Sequence, residues 1–100
     1  LQKESCESSW FGCSLLVADG AGLGRRQGGQ QLTDNRIDCR PIVAGDFTQN
    51  SVLQHLDHSI PFPLTNARAV HERGLFVGNQ QVDLTQEIEH LGATLAALPR

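Results

Sequence analysis

The chain has no methionine, a single lysine (Lys3), one tryptophan and three cysteines in 100 residues. The missing methionine, with Leu1 at the first position, predicts a piece of a longer protein. Cys6, Cys13 and Cys39 are odd in number and irregular in spacing, which predicts reduced thiols in a cytoplasmic protein rather than a disulfide scaffold. Basic residues are outnumbered, with 8 Lys and Arg against 11 Asp and Glu and a net charge of −3, and only Arg25 and Arg26 adjoin. Phosphate binding needs a basic patch that releases counterions, so nucleic acid is excluded as a partner, and so is a polybasic membrane anchor. No apolar run approaches the ~20 residues of a membrane helix, and no repeat or low-complexity segment is present.

What remains is a globular composition, 39% hydrophobic and 19% charged, in a length that suits one core. Residues 1–7, LQKESCE, are polar and unpatterned and read as a flexible leader; residues 8–100 read as one small domain. Residues 9–18, SWFGCSLLVA, are aromatic and β-prone and end at Asp19-Gly20, which predicts a buried strand with Trp10 and Phe11 as its heaviest core anchors. A helix is expected over residues 24–35, weakened by Gly28-Gly29, which cost roughly 2 kcal/mol relative to alanine. Ile37–Ala44 suits a strand, with Pro41 confining it to a sheet edge or a bulge.

Thr48 or Asn50 can cap a short helix over Ser51–Leu56, and Pro61 and Pro63 then impose an extended connector. Asn66 is expected to cap a further helix ending at Gly74 in a left-handed conformation, followed by a short strand at Leu75–Val77 closed by Gly78-Asn79. Leu84, Ile88, Leu91, Leu95 and Leu98 step by four, three, four and three, one face of a helix packed on its own domain. Asp83 and Gln86 resemble a capping box, and Pro99 stops that helix. The order β, α, β, α, α, β, α gives an α+β fold, a small sheet with helices on one face.

Few residue patterns carry chemistry by themselves. Gly20-Ala21-Gly22-Leu23-Gly24-Arg25 fails the dinucleotide fingerprint and lacks the Gly-Lys-Ser/Thr of a P-loop, which leaves a flexible turn. His55 and His58 could be two metal ligands, but with Cys39 the only other obvious candidate they read as a surface helix end. Cys39 beside Arg40, with His71 as a base, could be a reactive thiol; a buried structural cysteine is the simpler reading. Arg40 in an apolar strand either pairs with Asp38 or Asp46, or faces a cleft where it clamps a carboxylate or phosphate.

Four segments, in order, resemble one family: Ser9-Trp10-Phe11-Gly12; Ile37-Asp38-Cys39-Arg40-Pro41-Ile42-Val43-Ala44-Gly45-Asp46-Phe47; Gly74-Leu75-Phe76-Val77-Gly78-Asn79; and Asp83-Leu84-Thr85 with Glu87-Ile88. They are similar to the C-terminal part of the DegT/DnrJ/StrS enzymes, the pyridoxal phosphate (PLP) dependent sugar aminotransferases and related sugar 3-dehydratases. The resemblance implies the small C-terminal domain of a fold-type-I enzyme, inactive alone, whose large domain binds PLP. It implies a homo-oligomeric parent that acts on a nucleotide sugar with glutamate as amino donor. A transaminase holds PLP through a lysine, and Lys3 in the leader is a poor candidate; in the dehydratases a histidine replaces that lysine, again in the large domain. The chain alone is thus expected to hold no cofactor. Arg40 becomes the candidate for an anionic group of the substrate or amino donor, with Phe47 and Asn79 lining the same cleft.

The family usually has Asn where Asp46 stands, Phe where Cys13 stands and His-His where Gln80-Gln81 stands. An aspartate there adds a charge and removes a donor. The alternative to a parent enzyme is a free-standing binding or oligomerisation module built on the same domain.

Overall fold

A computed structural model describes residues 5–99; residues 1–4, with Lys3 and the start of the expected leader, lie outside the described residues. Strand β1 (Gly12–Leu16) is followed by helix α1 (Arg25–Asp34), strand β2 (Cys39–Pro41), two short 3-10 turns (Phe47–Gln49 and Ser51–His55), helix α2 (Thr65–Arg73), strand β3 (Gly74–Gly78) and helix α3 (Thr85–Ala96). The three strands form one antiparallel sheet in the order β1-β3-β2, so the last strand in sequence sits in the centre. The α+β expectation holds, and Pro41 lies on an edge strand, where its missing N–H costs no ladder bond. Among the described residues no helix is long and apolar enough to cross a membrane.

The register decides which face is the core. Leu15 lies opposite Leu75, and Cys13 and Cys39 flank Val77, so these side chains share one face. Leu32 of α1 packs there with buried Leu15, Leu75 and Val77, and Leu91 and Leu95 of α3 close over them with Val17 and Ile37. Leu32 is 1% exposed, the most buried of these. Burial of Leu32 and Gly28 on one side of α1 explains why the helix forms despite two glycines: packing outweighs propensity.

α1 ends in a Schellman motif, with Arg36 N–H to Thr33 O at 2.9 Å, Ile37 N–H to Leu32 O at 2.9 Å, and Arg36 itself left-handed at φ 62°. Ile37 packs beside Leu32 and launches β2. In the β1–α1 loop Gly20 and Gly22 also have positive φ, as a flexible turn requires.

The other face of the sheet carries Ser14, Phe76 and Arg40 in one cross-strand row. Phe11 stacks on Phe76 at 5.7 Å between ring centroids. Here the structure corrects the expected core: Phe11 is 85% exposed and Trp10 is exposed too, so neither is an anchor. They precede β1 rather than belonging to it, because Gly12 must sit against the Phe76 ring, where any Cβ would collide, and the strand starts only there.

Three terminal details also differ. Leu64 rather than Asn66 precedes the first turn of α2, with no side-chain cap. Gly74 is extended (φ −80°, ψ 135°), not left-handed; glycine is needed because a Cβ would strike the Val70 carbonyl and lie 2.7 Å from Ile42 Cδ1. At α3 no capping box forms; Asp83 Oδ1 instead accepts from the N–H (3.0 Å) and hydroxyl (2.6 Å) of Thr85.

Candidate functional site

Arg40 is exposed on the open sheet face, opposite Phe76. Of its two anticipated carboxylate partners, Asp46 is taken by Arg68, and among the described residues Arg40 forms no ion pair or hydrogen bond. The strand around it is apolar in sequence but only partly covered: β2 is a three-residue edge strand on which Cys39 is half-buried and Arg40 and Pro41 are exposed. A guanidinium held on a strand, next to an aromatic ring and unpaired, is suited to taking up a planar anion.

Phe47 lies in the loop after β2, and this loop is pinned by the residue before it. Asp46 is only 2% exposed. Its Oδ1 accepts from Thr48 N–H (3.0 Å) and from the Thr48 hydroxyl, and its Oδ2 accepts from Arg68 Nε of α2 at 3.1 Å. Its own N–H donates to His71 Nδ1 at 3.4 Å. Every contact to the carboxylate is a donor, so an asparagine, with one accepting oxygen, could satisfy only part of the set. The departure from the family's usual Asn is therefore matched locally by Arg68. Phe47 itself stays half exposed, between two anchored neighbours.

The Thr48 hydroxyl bond, the Arg68 guanidinium and the Thr48 N–H together hold the Asp46 carboxyl below the ordinary 3.8, against an opposing push from burial. Asp83 is lowered likewise by the Thr85 hydroxyl and N–H. A carboxyl depressed on folding contributes stability above its unfolded pKa and loses it as pH falls through the folded value. The urea midpoint is therefore expected to hold above about pH 5 and to drop as pH falls below about 4. Asp46→Asn should flatten that acid limb and leave the Asp83 share; an unchanged limb would remove Asp46 from this role.

Asn79 follows β3, and its Nδ2 donates to the Trp10 carbonyl at 2.7 Å, tying the lead of β1 to the end of β3. It borders an apolar groove of 510 Å³ between β1 and the first half of α3. The three predicted residues are not gathered into one pocket. Asn79 is past the C-terminal end of β3, whereas the Phe47 loop docks on α2, which feeds the opposite end, about 13 Å away for a five-residue strand.

The remaining candidates are structural. Cys39 Sγ contacts the Gly29 carbonyl at 3.5 Å, and His71 serves Asp46, so no thiol–imidazole pair forms. His58 Nδ1 is 2.9 Å from the Leu56 carbonyl, and among the described residues no three His, Cys, Asp or Glu side chains converge as metal ligands. No described residue is a lysine, so none of them can hold PLP as a lysine Schiff base, and His90 Nε2 lies against the Asn35 carbonyl at 2.8 Å. Sequence reading named Asp46 only as a partner for Arg40 and a departure from the family, and missed its bonds to Thr48 and Arg68 and the groove. The Thr48 bonds have a signal, since Asp-x-Thr recurs at Asp46–Thr48 and Asp83–Thr85 with the same bonds.

No protein-family model matches the chain. Among curated proteins it is 41% identical over 96 residues, 95% of its length, to GDP-4-keto-6-deoxy-D-mannose 3-dehydratase of Escherichia coli O55:H7, and 40% identical over 92 residues to the Yersinia pseudotuberculosis enzyme of the same name. It spans about a quarter of these relatives, 25% and 23%. Among solved structures it matches a mutant GDP-4-keto-6-deoxymannose-3-dehydratase with bound GDP-perosamine at TM-score 0.88 and 41% identity, over 94% of this chain and 25% of that one. The E. coli enzyme with bound hydrated PLP gives TM-score 0.88 over 94% and 24%. The resemblance to the DegT/DnrJ/StrS enzymes is borne out, and the relatives fall on its dehydratase side.

Proposed function

We propose that this chain is the small C-terminal domain of a PLP-dependent 3-dehydratase of the DegT/DnrJ/StrS type, acting on a nucleotide sugar held between it and a larger PLP-binding body. The observation that carries this reading is Arg40, unpaired among the described residues and displayed on the open sheet face within the segment that resembles the family. Its role is to hold an anionic group of the substrate or of the amino donor, glutamate; Phe47 and Asn79, at opposite ends of β3, would reach the substrate only where the larger body completes the cleft. With no lysine among the described residues to form a Schiff base, the cofactor and its proton transfers are assigned to the rest of the parent. The parent is a cytoplasmic homo-oligomer. A match along nearly the whole of this chain to enzymes four times its length favours this reading over a free-standing module.

The test replaces the matching quarter of the full-length E. coli relative with this chain. The chimera should bind PLP and turn over GDP-4-keto-6-deoxy-D-mannose with glutamate. Arg40→Ala should then lower turnover at least about tenfold, the scale of a lost charge-assisted contact, with an unchanged urea midpoint because the side chain is exposed. Full activity in Arg40→Ala would remove the arginine from the site; a PLP-bound but inert chimera would remove the function.

A further inference from the structure

We infer that the core of this chain holds a binding site for a small uncharged apolar molecule, about the size of one six-membered ring. The site is a cavity of 170 Å³ between the end of β1, the loop that follows it, α1 and the residues that close α3. It lies at the opposite end of β3 from Asn79 and shares no residue with the 510 Å³ groove. Its floor is the core itself, buried Leu15, Leu32 and Leu75, and exposed Leu16 and Pro99 stand at its rim. Every residue that lines it is Leu, Val, Ala, Gly or Pro. A cavity of roughly 150 Å³ with a lining of this kind stays dry and takes up benzene or xenon, because its walls lack dispersion contacts that an apolar guest restores.

Gly28 leaves this space open. It is buried inside α1 without a positive φ, and an added Cβ would lie 3.6 Å from Leu23 Cδ2, 3.8 Å from Leu75 Cδ1 and 3.9 Å from Val17 Cγ2. These are ordinary contacts with side chains of the cavity wall. Gly45 and Gly74 differ, since a Cβ there would strike helix backbone. At Gly28 neither backbone conformation nor crowding calls for glycine, which is less stable than alanine in a helix; what it supplies is volume where a side chain would otherwise fill the core. One wall is loop, with Ala21 and Leu23 beside the positive-φ residues Gly20 and Gly22, so a guest can enter there without displacing a strand or a helix. The lining also sets the chemistry of the guest. A phosphate, carboxylate or ammonium group would find no counter-charge and a hydroxyl no side-chain partner. The volume is too small for a sugar nucleotide, so the site is separate from the parent's substrate cleft and stands whether or not the parent reading does.

Benzene and xenon are the probes, added to this chain. In amide spectra both should shift Leu15, Val17, Gly28 and Leu75 and leave Ile88 and Leu91 of the groove unmoved, and benzene at saturation should raise the thermal midpoint by roughly 4 °C or more. Gly28→Leu, whose side chain would occupy the cavity, should abolish both responses. Gly28→Ala keeps most of the volume, so it should still respond to benzene while raising the midpoint without it. Leu98→Phe, which adds volume from the half-buried residues just past α3, is the second blocking variant and decides the matter if Gly28→Leu does not fold. A chain that shows no shift with either probe overturns the site, as do shifts centred on Ile88 and Leu91 or a benzene response that survives the blocking variants. Shifts at the same four residues on raising the chain concentration alone would assign the space to a second copy and overturn it as well.

Discussion

Replacing Leu32 by alanine should bring the domain to the edge of unfolding. Leu32 is 1% exposed and stands at the centre of a core whose other buried apolar side chains, among the described residues, are Leu15, Leu75 and Val77. Truncating a buried leucine costs about 2–5 kcal/mol, because the lost transfer energy is joined by a cavity that the neighbours fill only in part. A domain of this length has roughly 5–15 kcal/mol in total, and so small a core places this one near the bottom of that range. The urea midpoint should fall by about 2 M at an unchanged slope. Leu32→Met keeps the volume and should cost less than about 1.5 kcal/mol.

The damage should also reach the proposed site. Leu32 O anchors the Ile37 N–H in the motif that ends α1, and Ile37 leads into the strand that displays Arg40. Hydrogen exchange at residues 37–41 should therefore rise in Leu32→Ala at urea concentrations well below the midpoint. A shift of under about 1 kcal/mol, with unchanged exchange, would mean that the packing has its centre elsewhere.

Most of the element order was legible because it depends on local signals: turn glycines at Gly20 and Gly22, proline on an edge strand, and a leucine stripe with steps of three and four. The features that escaped depend on contacts between distant residues. Trp10 and Phe11 look like core by composition, but hydrophobicity does not say on which side of a domain an aromatic lies, and here one walls a groove and the other stacks on an open face. The end of α1 falls within a residue of the expected position, but the way it is closed had no glycine to signal it: a left-handed Arg36 takes that place, and the 6→1 and 5→2 bonds and the Ile37–Leu32 contact hold it there.

Arg40 could be singled out as a charge in an apolar strand, yet sequence physics left pairing and display equally open. The structure separates them because Asp46, a natural partner by proximity in sequence, is occupied by Arg68, 22 positions away. That pair could not be read from the order of residues. Asp46 departs from the family's asparagine by an added charge and a lost donor, and in the fold that carboxylate meets a donor at each of its bonds.

Gly45→Ala should have the second largest effect, and through the same loop. Gly45 directly follows the expected strand Ile37–Ala44, yet it lacks a positive φ and no left-handed turn demands glycine there. The demand is steric: a Cβ would lie 2.6 Å from His71 Cα and 3.0 Å from the Val70 carbonyl carbon, and both are helix backbone that no rotamer change can move. α2 cannot retreat easily. Its end runs straight into the central strand, Arg73 pairs with Asp19 at 3.5 Å, and Arg25 donates to the His71 carbonyl. The loop must lift instead, which would break the Asp46 N–H bond to His71 and draw the carboxylate off Arg68. Overpacking of this kind costs about 1–3 kcal/mol, whereas Gly78→Ala, with nothing within 4 Å of its added Cβ, should be close to neutral. Two readouts should move together in Gly45→Ala: a lower urea midpoint at pH 7, and a flatter loss of stability on acidification as Asp46 returns toward its ordinary pKa. A lower midpoint with the acid limb intact would mean that the helix had yielded and the loop had stayed, and that the position of Phe47 does not depend on this close approach.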